Sequence, residues 1–212
     1  MKKIFAASMS ALLVVALLAS AVFFYSAFEP ARVGAVAVTD DVVVTLNVDA
    51  GISITSPSNT TMSRNLGVSV NTAIGTTTWN VKTNNAAGYT LAVKATSTPA
   101  MLSGSNSIID YQTGSPDAWS VSAGDARFGY SAYGTDVPTG TWGSFSNCGV
   151  HVANASGLYK GFTTSNVTIA TRSATTTTSG VDSSVCYAVE QNGIYIPSGT
   201  YTATIVATAT TL

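Results

Sequence analysis

An all-β fold is what this sequence predicts: an antiparallel β-sandwich of Greek-key or jelly-roll type, following an N-terminal signal or anchor helix. Three observations carry that expectation. Beyond the first 28 or so residues no long stretch repeats its apolar residues at helical spacing, whereas short runs alternate apolar and polar with a period of two. These runs are separated by clusters of Gly, Asn, Pro and Ser, the residues that turn a chain between strands. Only 9% of the chain is charged, and roughly a quarter is Ser or Thr, which suits exposed strand faces.

The chain opens with Lys2 and Lys3, then an uncharged, mainly apolar run from Ile4 to Phe28, then Ala35-Val36-Ala37. A basic start, an apolar core and a small-x-small site are the parts of a secretory signal, with the cut expected after Ala37. The alternative is an uncut anchor, because the run is long enough to span a bilayer, and Lys2 and Lys3 would then stay inside. Either way residues 38–212 are expected outside the cell, and the membrane is a partner only through the uncut segment. About 175 residues then remain, enough for one domain with a sizeable core. Removing Lys2, Lys3, Arg32 and Glu29 takes the formal net charge from −1 to about −3. The remaining basic residues are scattered singly, so no patch exists to neutralise phosphates, and nucleic acid is not an expected partner.

Asp41 to Thr55 reads DVVVTLNVDAGISIT, with Val42, Val44, Leu46, Val48, Ala50, Ile52 and Ile54 on one face. Fully extended, Val42 to Ile54 would span about 43 Å, against a usual strand of about 17–20 Å. The expectation is that the chain bends at Asp49-Ala50-Gly51 and buries this face in its own core. The alternative is that the strand is donated to the open edge of a neighbouring subunit.

Thr77, Trp79, Val81 and Thr83 alternate with polar residues, and so do Tyr89, Leu91, Val93 and Ala95. NNAAG between them, Asn84 to Gly88, reads as the turn of a hairpin. Residues 97–127 and 134–160 are richer in Gly, Ser, Asp and Pro and are expected to form long loops with short strands. Phe128, Tyr130 and Ala132 alternate between those loops, Val167 and Ile169 mark a further strand, and 173–184 reads as a low-complexity exposed loop. Cys186 to Gln191 is the next strand, with a turn at Gly193. At the end, Tyr201, Ala203, Ile205, Ala207 and Ala209 make one face and threonines the other. Small inner residues there imply close packing against another sheet or a bulky ring. The pattern V-x-x-N-x-x-A-G recurs at Val44 and Val81, and two copies fall short of a repeat architecture.

Chemistry is sparse. Cys148 and Cys186 make an even count in an exported segment and read as one disulfide. The sole histidine, His151, stands three residues from Cys148, but no nucleophile elbow or adjacent carboxylate accompanies it, so catalysis is not expected. Asp117, Asp125 and Asp136 fall in Gly-rich sequence without the spacing of a calcium loop, and they read as solvated turn residues. No metal or cofactor is expected. Trp142, Trp119, Tyr133 and Tyr159 lie in or near the loop-rich middle, where flat rings beside Asn and Asp suit stacking on sugars. Large rings more often fill a core, and Trp142, among small residues in TGTWGSF, is the best of the four as a glycan contact. N-x-Ser/Thr acceptors stand at Asn59, Asn154 and Asn166.

VTLNVDAGISITSPSNTTM, TTTWNVKTNNAAGYTLAVKA and the terminal SGTYTATIVATAT together resemble exported surface proteins of ultrasmall candidate-phylum bacteria. The last piece also resembles the closing strand of WxL-type and fimbrial surface domains. The W-x-L tripeptide is absent, so the resemblance does not extend to peptidoglycan binding of the WxL kind. It covers about half of the exported part in short pieces and implies a cell-surface location without enzyme activity. The expected function is therefore an exported, non-enzymatic structural or adhesion protein, self-associating in a pilin-like way. Its expected partners are further copies, other surface proteins or glycans. A carbohydrate-binding module using loop aromatics is the alternative.

Overall fold

The computed structural model describes Gly34, residues 37–112 and residues 114–212. The expected signal or anchor, residues 1–37, lies outside the described residues apart from Gly34 and Ala37. The chain divides into two units, Met1–Asn47 and Val48–Leu212. In the first, residues 37–47 are exposed and, among the described residues, form no strand.

The second unit is all-β. Its strands are β1 (Ile52–Ile54), β2 (Thr72–Thr83), β3 (Tyr89–Ala95), β4 (Met101–Ser103), β5 (Asn106–Asp110), β6 (Asp117–Ala118), β7 (Asp125–Gly134), β8 (Leu158–Tyr159), β9 (Val167–Arg172), β10 (Val181–Asn192) and β11 (Ile205–Thr211). One helical turn, α1 (Thr139–Trp142), follows Pro138. A six-stranded sheet runs β1-β2-β10-β7-β5-β4, a three-stranded sheet runs β11-β3-β9, and β6 and β8 form a ribbon. The large sheet is mixed rather than purely antiparallel, because β5 runs parallel to β7.

Between the two sheets lies a core that includes Trp79, Val81, Tyr89, Leu91, Val93, Phe128, Tyr130, Phe162, Ile169, Val185 and Tyr187. The expected alternation holds in β3, where Tyr89, Leu91, Val93 and Ala95 are buried and Thr90, Ala92 and Lys94 half-buried. It holds in the second half of β2 as well, where Trp79, Val81 and Thr83 are buried and Lys82 exposed. The expected hairpin between them does not form. β2 bonds to β1 and β10, and β3 to β11 and β9, so Asn84–Gly88 carries the chain from one sheet to the other. Two strands paired side by side would put both apolar faces on one sheet; an arch lets those faces meet. Gly88, at φ 88°, makes the corner, and a Cβ there would overlap the Arg172 carbonyl.

A second cluster lies on the outer face of the large sheet: Ile74, Tyr111, Cys148, Tyr159, Cys186 and Ala188, with Trp119, Tyr133, Phe145 and Ala153 packed against it. β10 is consequently buried on both faces, with Val185, Tyr187 and Val189 turned inward and Cys186 and Ala188 outward. Near-continuous burial from Ser183 to Val189 is what a strand between two layers requires. The long loops expected over 97–127 and 134–160 contribute this outer layer. It lies so close that a Cβ on Gly129 would stand 2.7 Å from Tyr111 Cβ. The expected exposed loop 173–184 is shorter than its composition implied, since β10 begins at Val181.

Candidate functional site

Three features were candidates for function: the Cys148 region, the loop aromatics and the opening apolar segment. Cys148 and Cys186 form the expected disulfide, with 5.3 Å between their Cα atoms and both residues buried. Thr76 donates its hydroxyl to Cys148 Sγ at 2.9 Å. Both sulfurs are oxidised, so no thiolate is available to pair with His151. That side chain is exposed, with Nδ1 3.4 Å from Ser63 Oγ. The Gly-rich aspartates separate rather than converge. Asp125 pairs with Arg127 at 3.0 Å, and Asp117 is exposed on β6. Asp136 accepts from Tyr89 Oη at 2.8 Å and from Arg172 Nη1 at 3.2 Å. Asp136 is thus a largely buried tie between β3 and β9, not a solvated turn residue. Burial, and then the Asp136 carboxylate, push the Tyr89 hydroxyl well above its ordinary value. Among the described residues, no group of three or more His, Cys, Asp and Glu could hold a metal ion.

The glycan platform requires correction. Trp142 is 1% exposed and packs against Tyr130, with ring centroids 5.3 Å apart. Its small neighbours allow α1 to press close to β7, and the ring offers no face to a sugar. Tyr159 is fully buried; its hydroxyl accepts from Asn154 N at 2.9 Å, and burial pushes it up to about 12. Trp119 is half-buried, stacked on Tyr111 at 4.6 Å and edge-on to Tyr159 at 5.2 Å. Its Nε1 donates to Glu190 Oε2 at 2.6 Å. These rings hold the outer layer to the sheet. Tyr133 is also half-buried, but it lines an open cleft of about 500 Å³ with Thr78, Thr135, Asp182 and Ser184. Sequence reasoning missed that cleft, because its lining comes from β2, β7 and β10, which are far apart along the chain.

The opening segment departs most from expectation. Only Ile52–Ile54 pairs, with Ile52 opposite Thr83 and Ile54 opposite Val81. Upstream, Val42, Val44, Leu46 and Val48 are 83%, 89%, 84% and 74% exposed. Asn84 clamps the chain where it leaves β1: its Oδ1 accepts from Gly51 N at 2.6 Å and its Nδ2 donates to the Asp49 carbonyl at 2.8 Å. Asn84 also belongs to the arch, so one residue sets both the corner and the exit point. Ile52 packs against the core, but Ile54 is exposed.

β11 is an edge strand, paired with β3 on one side only among the described residues. Its inward residues Ile205, Ala207 and Ala209 touch the core but remain only partly buried, while Thr208 and Thr210 are exposed. Comparison with known proteins finds no matching family model, curated protein or solved structure.

Proposed function

We propose that this chain is an exported, non-enzymatic structural or adhesion subunit of the cell surface that self-associates through its N-terminal apolar segment. The observation that carries this reading is the alternation and exposure of Val42, Val44, Leu46 and Val48. Covering a Val or Leu side chain is worth about 1.5–3 kcal/mol, so covering all four is worth on the order of 10 kcal/mol. An alternating apolar strand is also the form in which a chain adds to another sheet, with backbone bonds supplying affinity and side chains supplying register. The basic start and small-x-small site support export, and the disulfide fits an oxidising compartment.

The test is electron microscopy and light scattering of protein recovered from an exporting cell, beside N-terminal sequencing. Filaments or discrete oligomers beginning at Val38 are the expected result. Monodisperse single chains at high concentration would defeat the reading.

A second reading rests on the Tyr133 cleft, where one ring edge, the Asp182 carboxylate and the hydroxyls of Thr78 and Ser184 suit a sugar. Glycan-array binding lost on Tyr133→Ala would favour this carbohydrate-binding function. Silence across a broad array would remove it.

A further inference from the structure

We infer that the Tyr133 cleft is one half of a longer groove, and that this groove takes an acidic polysaccharide chain rather than a single sugar; the inference rests on the carbohydrate-binding reading given above. A second cleft, of about 380 Å³, is lined by Ser53, Lys82, Asn84, Thr176, Thr177 and Thr178, among others. Both clefts open on the same face of the large sheet. Side chains alternate along a strand, and Ile74 on β2 and Ala188 on β10 lie beneath the outer layer. Thr78, Asn80 and Lys82 share the parity of Ile74, and Asp182 and Ser184 share that of Ala188. The outer layer covers one end of this face. The other end is polar, and there Thr78, Lys82 and Asp182 are exposed.

A low turn separates the two clefts. Gly180 N donates to the Thr177 carbonyl at 3.0 Å, and Gly180 itself has a φ of 77°. A Cβ there would overlap Asn80 Oδ1 and stand 2.8 Å from Lys82 Cγ. Glycine therefore keeps the ridge between the clefts thin. The two sides differ in chemistry. On one, the half-buried Tyr133 ring, backed by Phe145 at 5.3 Å, offers an apolar surface. Beside it Asp182 accepts from the Asn80 amide at 2.7 Å, and the Thr78 and Ser184 hydroxyls bond each other at 2.7 Å. A ring next to a floor of hydroxyls and amide suits a neutral sugar. On the other side the one charged residue lining the cleft is Lys82, opposite Ser53 of β1. The ion pairs among the described residues, Arg127–Asp125 and Arg172–Asp136, do not include it. A sugar carrying a carboxylate supplies that partner.

The spacing excludes one small ligand as the occupant of both. Thr78 and Lys82 are four residues apart on β2, about 13 Å along the strand, which is more than one sugar ring spans. A chain of several rings reaches both clefts, and the second contact is then made by a ligand already held at the first.

The test is calorimetric titration of the full exported chain with oligomers of alternating N-acetylglucosamine and glucuronate, from two to six sugars, beside oligomers of N-acetylglucosamine alone. The expected result is binding of the acidic series that tightens about tenfold or more from two sugars to six. Lys82→Gln should weaken the six-sugar acidic chain about two- to fivefold, the worth of one exposed ion pair, and leave the neutral chain unchanged. Lys82→Glu should weaken it further, and Lys82→Arg should keep it. Tyr133→Ala should weaken both series. Thr78→Val should do the same, and as an exposed change that keeps a β-branched residue in its strand it leaves the melting temperature unchanged.

Affinity equal for two sugars and six, and indifferent to Lys82, would overturn the groove while leaving the Tyr133 cleft as a carbohydrate site. Equal binding of acidic and neutral chains, unchanged in Lys82→Glu, would overturn the acidic ligand. Binding of neither series would overturn the inference, and silence across a broad glycan array as well would remove the carbohydrate reading with it.

Discussion

Replacing Cys148 and Cys186 together by alanine removes a cross-link from the centre of the molecule, and its cost can be worked from the structure. The bridge spans a sequence separation of 38 residues. In the chain-entropy picture, opening a loop of that size frees the unfolded chain by about 4 kcal/mol. The enclosed stretch carries β8, β9 and the core residues Phe162 and Ile169, so the loop is part of the fold rather than an appendage. For a domain of about this size each kcal/mol shifts the melting temperature by about 2–4 °C, which makes the expected drop about 8–16 °C. Guanidinium and thermal unfolding, followed by tryptophan fluorescence, report it directly, since Trp79 and Trp142 are buried. A loss below about 1 kcal/mol would refute the reasoning. It would mean that the reduced, unfolded chain is already so compact that the bridge constrains little.

Three further outcomes are expected. Burial pushes the Asp110 carboxyl up to about 6, against a smaller opposing effect of the Ala100 N–H, which lies 3.2 Å from both oxygens. The folded protein thus holds a proton through the range in which the unfolded chain has lost it. This contribution is fully present below about pH 4 and disappears as pH rises through about 6. Urea midpoints should show wild type losing stability relative to Asp110→Asn between those values; a pH-independent difference would count against it. Trp142→Ala should cost about 3–5 kcal/mol in denaturant titration, as a core truncation does, and lower any glycan binding only as far as the fold is lost. Gly88→Ala should cost more than about 1 kcal/mol, because the arch needs positive φ and the Arg172 carbonyl occupies the space a methyl would take. A neutral Gly88→Ala would show that the corner can be rebuilt.

Period-two alternation in one strand is a local property, and it was readable without coordinates. Trp79, Val81 and Thr83, Tyr89 to Ala95, and the alanines of β11 each declared an apolar face, and each is turned toward the core. The disulfide was equally legible, because two cysteines leave one pairing within the chain. What each face meets is a long-range property, and only the tertiary structure decided it. NNAAG served as an arch because two separately buried faces are satisfied across a core, whereas a hairpin would have set them side by side. Trp142 and Tyr159 looked like surface rings because glycine, serine and asparagine surround them in sequence. They are buried because those small residues let α1 and the outer layer close onto the large sheet. The valines and leucine of residues 42–48 have the same alternation as β11, but in the second unit strand pairing begins only at Ile52, after Asn84 has bonded Asp49 and Gly51. Alternation says that a strand has a face to bury; which surface receives it depends on what the rest of the fold leaves open.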